Sequence, residues 1–405
     1  MSDKKKLLFM EWDSFGKEQI IQAWERLGFG VERFRLHRES EDMRNNPALT
    51  ERIARKILSD HDLLVFSSNY FPVVAIACQA CRVPYIAWVY DSPFVQLYSN
   101  TVFYDTNYIF HFDTTECDTL QRAGVPHVCY MPMAVDPEYM DRYKIETLPA
   151  EKREFYRADV SFVGSLYTED KQRFYDCFSK MDGYHQGYVE GVLRAQQQVY
   201  GYNFLQDSIT PSLLKELQKA APLQGNGDGF ETLEWTYANY FLARKLTSME
   251  RTETLQELSG EFDVKLFTYA DTKAFPEVRN MGGLSYEECP YAFQGAKINL
   301  NITLRSIQSG IPLRAMDIMG SGGFLLTNFQ ADLLESFEPD RDFVYYESRT
   351  DLKEKIRYYL AHEEERCAIA ENGCRKVRAS HTMQQRIEEM WNCVSGQMSS
   401  NTCDR

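Results

Sequence analysis

Long hydrophobic runs are missing from this sequence. The first apolar stretch, Leu7–Met10, is too short for the core of a signal peptide, and no later run is long enough to cross a bilayer. The chain has 405 residues, of which 44% are hydrophobic and 26% charged, which is the balance of an ordinary globular protein of about two to three domains. We therefore expect a cytoplasmic protein without a transmembrane segment.

An excess of basic charge is missing as well. The chain carries 45 Lys and Arg residues against 59 Asp and Glu residues, which gives a formal net charge of -14. Because nucleic acids and anionic membranes are bound through basic faces, this charge argues against either as a general partner. A local basic pocket for one phosphorylated ligand remains compatible with it.

Cysteines are not clustered, although the chain has ten. Cys78 and Cys81 form a CxxC pair, but no second pair follows at the spacing of a zinc site, so we interpret both as reduced core thiols. The patterns Asp60-His61-Asp62 and Asp340-Arg341-Asp342 place two carboxylates close together, and their context favours solvated turn residues. The sequence therefore predicts no metal site.

Short apolar runs alternate with segments of helical spacing in the first part of the chain. The predicted strands are 7–12, 31–36, 62–67, 84–90, 108–112 and 128–131, and the predicted helices are 18–27, 47–58, 73–81 and 115–123. Near-continuous apolar strands are typical of a parallel sheet that is covered on both faces. We therefore predict a doubly wound α/β domain over residues 1–150, with ligands at the carboxyl ends of its strands.

A second α/β domain is predicted over residues 151–380. Its strands are expected at 159–163, 263–268, 297–302, 323–327 and 342–346, and its helices at 310–320, 352–361 and 363–379. Residues of about 170–258 have no strand signal, so they predict a helical insertion, which the glycine-rich loop 225–229 divides. Residues 381–405 are interpreted as a closing helix and tail.

The strongest candidate site in this domain lies where a strand leads through a loop into the helix predicted at 310–320. Ser309 or Gly310 could cap the helix, and the free N–H groups of its first turn would then attract a diphosphate. Arg314 could form a bidentate contact with a phosphate, and Arg305 is a second candidate cation. Asp317, three residues after Arg314, could accept two hydrogen bonds from a ribose diol. A capped helix with a solvated Arg–Asp pair would show the same spacing.

The part of the chain from about Tyr286 to the end resembles the C-terminal domain of a known family. The resemblance is carried by Lys297-Ile298-Asn299-Leu300-Asn301, Gly310-Ile311-Pro312-Leu313-Arg314, Gly322-Gly323-Phe324-Leu325-Leu326-Thr327-Asn328, Phe343-Val344-Tyr345-Tyr346 and His381-Thr382-Met383-Gln384-Gln385-Arg386. These segments are similar to the CgeB/YkvP-like spore-maturation glycosyltransferases, a group with the GT-B fold. The first half resembles that family more weakly, through its sheet pattern and the link 131–136.

This resemblance implies two Rossmann-like domains that face each other across a cleft, with a nucleotide-sugar donor on the second domain and the acceptor on the first. It also places Gly164 and Ser165 in a glycine loop near the donor phosphates, although a tight strand-to-helix turn would explain them as well. Asp317 falls at the second acid of the E-x7-E pattern of retaining relatives, and Ser309 stands where the first acid would be. This departure leaves the stereochemistry of the reaction open.

Acid–base candidates lie at the predicted strand ends of the first domain. Asp13 follows the first strand, Asp91 the fourth, and His111 ends the fifth together with Asp113. A carboxylate or a histidine at such a position could take the proton of an acceptor hydroxyl. Alternatively, His111 is a packed or solvated histidine and Asp91 a turn residue before Ser92-Pro93.

The leading hypothesis is therefore a metal-independent glycosyltransferase that uses a nucleotide sugar as substrate and needs no cofactor. Its acceptor would be a glycan, a protein or a small molecule. One alternative is a non-catalytic nucleotide-sugar-binding or scaffold protein. It is suggested by Ser309, which stands where the first acid of the pattern would be. Another is a nucleotide-sugar epimerase of the same fold.

Overall fold

The computed structural model describes residues 5–60 and 63–403, with side chains as far as Gln397. The described residues divide into two compact units. Unit 1 comprises those of Met1–Asp136, Asn226–Phe230 and Ser380–Arg405, and unit 2 those of Pro137–Gly225 and Glu231–Ala379. The chain passes from unit 1 to unit 2 after Asp136, which is earlier than the domain boundary near residue 150 that the sequence indicated. The closing segment 381–405 is counted with unit 1.

The described strands of unit 1 form one parallel sheet in the order β2-β1-β3-β4-β5-β6. They are β1 (Lys6–Glu11), β2 (Gly30–Arg35), β3 (Leu63–Ser68), β4 (Tyr85–Val89), β5 (Asn107–His111) and β6 (Val128–Tyr130). Every residue of β3, β4 and β5 is buried, because both faces of the sheet are covered. The strand predicted from residue 62 is therefore confirmed from Leu63 onward, and Asp62 lies outside the described residues.

Four helices connect these strands, and a long helix near the end of the chain joins them. They are α1 (Lys17–Arg26), α2 (Pro47–Leu58), α3 (Pro72–Cys81), α4 (Thr114–Arg122) and α16 (Met383–Cys403). In α2 the Asn46 side chain accepts a hydrogen bond from Leu49 N at 3.0 Å, and Pro47 occupies the first turn. Leu49 and Ile53 are spaced by four residues, so both face the core.

Unit 2 contains the second parallel sheet, in the order β12-β11-β10-β7-β8-β9. Its described strands are β7 (Ala158–Val163), β8 (Val264–Phe267), β9 (Arg279–Asn280), β10 (Ala296–Asn301), β11 (Leu325–Asn328) and β12 (Val344–Tyr346). The two-residue strand β9 was missed, because two residues give no periodic signal. The prediction of two Rossmann-like α/β sheets is confirmed.

The helices of unit 2 are more numerous than the sequence predicted. They are α5 (Pro137–Met140), α6 (Ala150–Tyr156), α7 (Gly183–Gln197), α8 (Pro211–Ala220), α9 (Leu233–Thr236), α10 (Ala243–Ser259), α11 (Cys289–Gly295), α12 (Leu313–Gly320), α13 (Ala331–Ser336), α14 (Arg349–Ala361) and α15 (Glu363–Ser380). Helix α12 begins at Leu313 with Pro312 as its N-cap, so the predicted start at Gly310 is wrong. Proline at 312 ends the preceding extended segment and supplies a φ of -66° at the helix entrance.

The segment between β7 and β8 is the predicted helical insertion, and it has its own hydrophobic core. Leu193 of α7, Leu217 of α8 and Leu246 of α10 are among its fully buried members. The glycine-rich loop that divides the insertion is counted with unit 1 at residues 226–230, where Asn100 N donates to Asp228 O at 2.8 Å. Among the described residues no helix is both long and apolar enough to span a membrane, and the cytoplasmic location stays a prediction.

Candidate functional site

The entrance of α12 in unit 2 holds the residues that the sequence singled out for phosphate binding. Arg314 lies in the first turn of the helix. Ser309 and Gly310 lie in the preceding segment rather than at the cap, and Ser309 O accepts a hydrogen bond from Asp332 N at 3.0 Å. Neither residue therefore supplies a capping side chain, and the first-turn N–H groups follow Pro312.

The Arg314 guanidinium is held at this entrance without a strong hydrogen bond from its Nη1. Its central carbon lies 5.3 Å from the centre of the Phe293 ring, and Nη1 lies 3.5 Å from Asp317 Oδ2. Among the described residues Nη1 is buried and has no hydrogen-bond partner. Nη1 is thus ion-paired with Asp317 but makes no hydrogen bond within the described part of the chain, and a buried N–H donor without an acceptor is costly. A phosphate oxygen would supply that acceptor.

Asp317 is enclosed rather than presented to a ligand. Its side chain is 3% exposed, and Tyr286 Oη donates to Asp317 Oδ1 at 3.1 Å. Burial raises the pKa of the carboxyl group to about 6, while Arg314 and the Tyr286 hydroxyl act in the opposite direction. Its contacts in the structure are thus to Tyr286 and Arg314, and this placement favours a supporting role over direct contact with a ribose.

The loop after β7 contains the two residues that the resemblance placed near the donor phosphates. Gly164 N donates to Phe267 O at 3.1 Å, and Ser165 Oγ accepts from Tyr167 N at 2.8 Å and donates to Glu169 at 2.7 Å. Tyr167 has a φ of 57°, in the left-handed region that a bulky residue seldom adopts. This is a tight turn with an unusual backbone, a feature that is common at functional sites.

Arg251 of α10 was not singled out from the sequence, yet it reaches this loop. Its Nη1 donates to Ser165 O at 2.6 Å and its Nε to Ile302 O at 3.0 Å. The guanidinium therefore links the loop after β7 to the end of β10. Burial lowers the pKa of Arg251, and the charge of Arg314 lowers it further, which places the two guanidinium groups in each other's electrostatic field.

Arg244, about two helical turns before Arg251 on α10, is a further cation beside the same loop. Its guanidinium carbon lies 5.9 Å from the centre of the Tyr167 ring and 4.8 Å from that of Phe174. Its Nε is buried without a hydrogen-bond partner in the described structure, and burial lowers its pKa. Within the described part of the chain, neither Arg244 nor Arg251 forms an ion pair with a carboxylate. We call Arg244, Arg251 and Arg314 the arginine cluster.

Arg305 does not belong to this cluster, because the structure gives it a carboxylate partner. Its Nε donates to both Glu250 oxygens at 3.1 and 2.9 Å, and its guanidinium lies 4.2 Å from the centre of the Tyr200 ring. The side chains of Arg305 and Glu250 are 10% and 8% exposed. Arg305 is thus neutralised within a buried ion pair and is not a free cation for phosphate.

A polar cavity of about 270 Å³ lies beside this ion pair in unit 2. Its lining includes Tyr200, Glu250, Tyr346 and Ser348. It lies near the carboxyl end of β12, where parallel α/β sheets bind ligands.

In unit 1, Asp91 follows β4 and is held by Asn69. Asn69 Nδ2 donates to Asp91 Oδ2 at 2.7 Å, and Asn69 Oδ1 accepts from the backbone N–H groups of Tyr90 and Asp91 at 3.1 and 3.3 Å. Asn69 has a φ of 65°, which asparagine tolerates better than most residues. Burial raises the pKa of Asp91, and Arg38 and Asn69 oppose that shift. A carboxylate with a raised pKa suits a general base.

Asp13 and His111, the other two acid–base candidates, occupy contrasting environments. The Asp13 side chain is 82% exposed and accepts from Arg35 Nη2 at 2.6 Å, a hydrogen bond that lowers its pKa. His111 is 1% exposed, its Nδ1 accepts from Asp113 N at 3.1 Å, and burial lowers its pKa to about 4. A neutral, enclosed imidazole is the packed histidine of the alternative interpretation, so neither residue matches a general base as well as Asp91.

Glu116 was missed by the sequence interpretation. It lies in the first turn of α4, after the N-cap Asp113, and burial raises its pKa to about 7, while a hydrogen bond with Tyr98 opposes the shift. In sequence it is an ordinary acidic residue in a first helical turn. Only its burial distinguishes it.

The structure also locates the residues considered for metal binding. Asp342 Oδ2 accepts from Glu338 N and from Lys376 Nζ at 3.0 and 2.9 Å, and Asp60 pairs with Lys6, while His61 and Asp62 lie outside the described residues.

One other group of metal-ligating side chains is found among the described residues, in the insertion: Asp182, His185 and Glu216, whose ligand atoms lie within 4.8 Å of one another. Asp182 caps α7, His185 Nδ1 bonds to it at 2.9 Å, and Glu216 pairs with Lys219 at 3.2 Å. Helix capping and ion pairing account for this arrangement.

Comparison with known proteins gives one family match and a set of structural relatives. Residues 248–392 match the family model described as glycosyl transferase-like, a region that includes Arg251 and Arg314. A search of curated proteins finds no match. The narrower CgeB/YkvP-like assignment stays a prediction.

Three solved structures show how widely the fold is shared. Anabaena Alr3699/HepE in complex with UDP-glucose is 12% identical with a TM-score of 0.55, covering 96% of this chain and 99% of that one. A glycosyltransferase from Rickettsia africae is 11% identical with a TM-score of 0.53, covering 96% and 98%. A putative UDP-N-acetylglucosamine 2-epimerase from Listeria monocytogenes is 9% identical with a TM-score of 0.50, covering 98% and 97%.

At these identities the solved structures establish the fold, while the family match concerns mainly the sequence of the second unit and extends into the closing segment, which is counted with unit 1. Arg244 and Arg251 lie in the insertion beside the loop after β7, and Arg251 and Arg314 lie in the matched region. The charge of Arg314 acts on Arg251. Together, the matched domain and a fold shared with glycosyltransferases support a glycosyltransferase.

Proposed function

We propose that the protein transfers a sugar from a nucleotide-sugar donor to an acceptor hydroxyl without a metal ion. The observation that carries the proposal is the arginine cluster, two of whose members lie within the glycosyl transferase-like region 248–392. Two of the three guanidinium groups have no carboxylate partner among the described residues, and Arg314 and Arg251 act on each other electrostatically. Together they would attract a group with two or more negative charges.

The diphosphate of a nucleotide sugar has this charge, and it gains more as the bond to the sugar breaks. Arg314 Nη1, buried and without a hydrogen-bond partner in the described structure, would donate to a phosphate oxygen. The free N–H groups at the start of α12 add partial positive charge. Donors fixed in a site of low dielectric constant stabilise a leaving group without reorganisation, so the arginines can take the part of a metal ion. The relative solved with UDP-glucose supports this donor class.

In unit 1 we assign the general base to Asp91, which Asn69 positions. The acceptor oxygen attacks the anomeric carbon of the donor sugar, and its proton passes to the Asp91 carboxylate. The bond from the anomeric carbon to the diphosphate oxygen breaks, and its electron pair leaves with the nucleoside diphosphate. Asp91 suits this step because burial raises its pKa towards the working pH.

Substitution of Arg314 by alanine tests the proposal. The variant should lose about 10²- to 10³-fold in kcat with an active donor, the effect of removing one preorganised donor to a developing anion. The assay measures nucleoside diphosphate released from UDP-, GDP-, ADP- and dTDP-glucose. Arg341→Ala is the matched control, because Arg341 is 66% exposed and pairs with Glu338 in the same unit. A wild-type rate for Arg314→Ala would refute the role of Arg314.

The same donor panel separates the alternatives. Binding of a nucleotide sugar with neither hydrolysis nor transfer would indicate a non-catalytic binding protein. An isomerised sugar without released nucleoside diphosphate would indicate an epimerase, whose fold this chain shares. Either result would contradict the proposed transfer.

A further inference from the structure

A cavity of about 510 Å³ opens in unit 1 after the ends of β1 and β2. Its lining is Trp12, Asp13, Arg35, Leu36, His37, Arg38, Glu39 and Ser40. The carboxyl ends of parallel strands are where such sheets bind ligands. This position makes the cavity a candidate for the acceptor of the proposed reaction.

Trp12 forms a rigid wall of this cavity. Its Nε1 donates to Ser68 O at 2.8 Å, its ring stacks on Tyr90 with centres 6.1 Å apart, and Phe71 meets it edge-on at 6.3 Å. The Arg38 guanidinium carbon lies 4.0 Å from the centre of the Trp12 ring. An aromatic ring fixed on two sides therefore holds the guanidinium in place by a cation–π contact.

Arg38 differs from the other arginine in the lining, because among the described residues no carboxylate forms an ion pair with it. Arg35 donates to Asp13 at 2.6 Å and to Glu11 at 3.4 Å, so its charge is balanced. In the described part of the chain no hydrogen bond and no ion pair is formed by the Arg38 guanidinium, whose contacts are the rings of Trp12 and Phe71. A planar guanidinium held by stacking keeps its N–H groups for bidentate binding of a carboxylate or phosphate.

Asp91 directly follows Tyr90, whose ring stacks on the Trp12 wall of the cavity with centres 6.1 Å apart. Burial raises the pKa of Asp91, and the charge of Arg38 opposes that shift. The cavity therefore places near the assigned base a cation that has no ion pair among the described residues. A ligand with both an anionic group and a hydroxyl could occupy both at once. The acidic side chains of the lining are Asp13, which Arg35 neutralises, and Glu39, which is exposed.

We propose that the acceptor is anionic: a sugar or other polyhydroxyl compound with a carboxylate or phosphate group that binds the stacked Arg38 guanidinium and turns a hydroxyl towards Asp91. This inference rests on the proposed function, because it names the acceptor class of that reaction. It assigns Arg38 to acceptor specificity and leaves donor binding to the arginine cluster of unit 2.

Titration calorimetry on the full chain without donor tests the inference, with glucuronate, glucose 6-phosphate and uncharged glucose as probes. At least one anionic probe should bind ten-fold or more tightly than glucose. Arg38→Gln should weaken the binding of that probe by ten-fold or more and leave the affinity for glucose unchanged. The two anionic probes distinguish a carboxylate site from a phosphate site.

Arg52→Gln is the matched control, because Arg52 is an arginine of the same unit whose Nη1 donates to Glu41 at 2.8 Å. It should bind the anionic probe as the wild type does. The inference is overturned if all three probes bind equally or not at all, or if Arg38→Gln binds the anion as tightly as the wild type. The last result would place any anion binding elsewhere, for example at the arginine cluster.

Hydrolysis of the nucleotide sugar by water, measured without acceptor, separates this inference from the proposed function. The control Arg52→Gln should keep both the hydrolysis rate and the anion binding of the wild type. If hydrolysis is absent with every donor but anion binding depends on Arg38, the proposed transfer is wrong and the anion site remains. If hydrolysis is present and anion binding is not, the donor chemistry stands and the acceptor class is wrong.

Discussion

Burial shifts the pKa values of individual side chains of this protein by very different amounts. Asp317 is the clearest case with a carboxyl group, since its side chain is 3% exposed and its pKa is raised from 3.8 to about 6. Arg314 and the hydroxyl of Tyr286 reduce this shift without cancelling it. Burial therefore outweighs the two favourable contacts, and the carboxylate is kept at a cost to stability.

The stability of the fold should depend on pH through Asp317. Because the folded pKa lies above the unfolded one, the folded state binds the proton more tightly, so stability is lost as pH rises from about 4 to 6. Relative to Asp317→Asn, the wild type should gain about 2 to 3 kcal/mol between pH 7 and pH 4. Melting temperatures of both proteins across this range measure the difference.

Asp13→Asn provides a control of opposite sign. The pKa of Asp13 is lowered by its hydrogen bond with Arg35, so its contribution to stability is lost as pH falls. A melting-temperature difference between wild type and Asp317→Asn that stays constant from pH 7 to pH 4 would contradict the assignment of a raised pKa to Asp317.

At the scale of secondary structure, glycines inside helices show where elements are packed closely and where they are not. A Cβ at Gly373 of α15 would lie 2.2 Å from Asp342 O, which is a backbone atom. Asp342 stands just before β12, so the glycine lets α15 lie directly against the start of that strand. At Gly187 of α7 a Cβ would meet nothing within 4 Å.

Alanine substitutions at these two glycines should have opposite effects. Gly373→Ala should destabilise the protein by about 1–3 kcal/mol, because backbone must move to admit the methyl group. Gly187→Ala should stabilise it by about 0.5–1 kcal/mol, since alanine loses less backbone entropy in a helix and the site is open. Calorimetric melting of both variants measures this, and a stabilised Gly373→Ala would show that α15 is not packed against Asp342 as described.

At the scale of the whole molecule, the distribution of charge matters more than its sum. The formal net charge is -14, yet Arg244 and Arg251 lie beside one loop of unit 2, within reach of the charge of Arg314 at Arg251. In unit 1, Arg38 stacks on Trp12. A protein of this kind should repel nucleic acid in general and still hold a small polyanion.

Nucleotides should accordingly raise the melting temperature of the full chain in proportion to their phosphate charge. At about 100 times its dissociation constant a ligand adds about 2.7 kcal/mol to stability. Among UDP, GDP, ADP and dTDP, at least one should raise the melting temperature more than its own monophosphate does, and Arg314→Ala should remove the difference. Equal shifts for the monophosphate and diphosphate of every base would argue against a diphosphate site.

The sheets could be predicted because most of their strands are apolar runs. Such runs can be recognised in the sequence without knowing which strands pair with them. Residues 47–58 were predicted as a helix with the bounds that the structure shows, since Asn46 and Pro47 mark its start and Leu49, Ile53 and Ile57 its inner face. The start of α12 was placed too early, because the sequence does not tell whether Ser309, Gly310 or Pro312 ends the extended segment.

The candidate site could be predicted only in outline. Arg305 and Arg314 look alike in sequence, but Glu250, far away along the chain, pairs with one of them and not with the other. Arg251, Arg244 and Arg38 gave no sequence signal at all, since arginines on helices and in loops are ordinary surface residues. Their role as candidates arises from the rings and carbonyl groups that surround them.

The sequence by itself determined the two α/β sheets, the insertion between β7 and β8, and the acidic overall balance. These follow from the order and polarity of neighbouring residues, which act over a few positions along the chain. The tertiary structure alone decided which arginines lack a carboxylate partner among the described residues. It also decided which carboxyl groups have a raised pKa. Desolvation and Coulomb interactions depend on distance in space, and residues from remote parts of the chain set that distance.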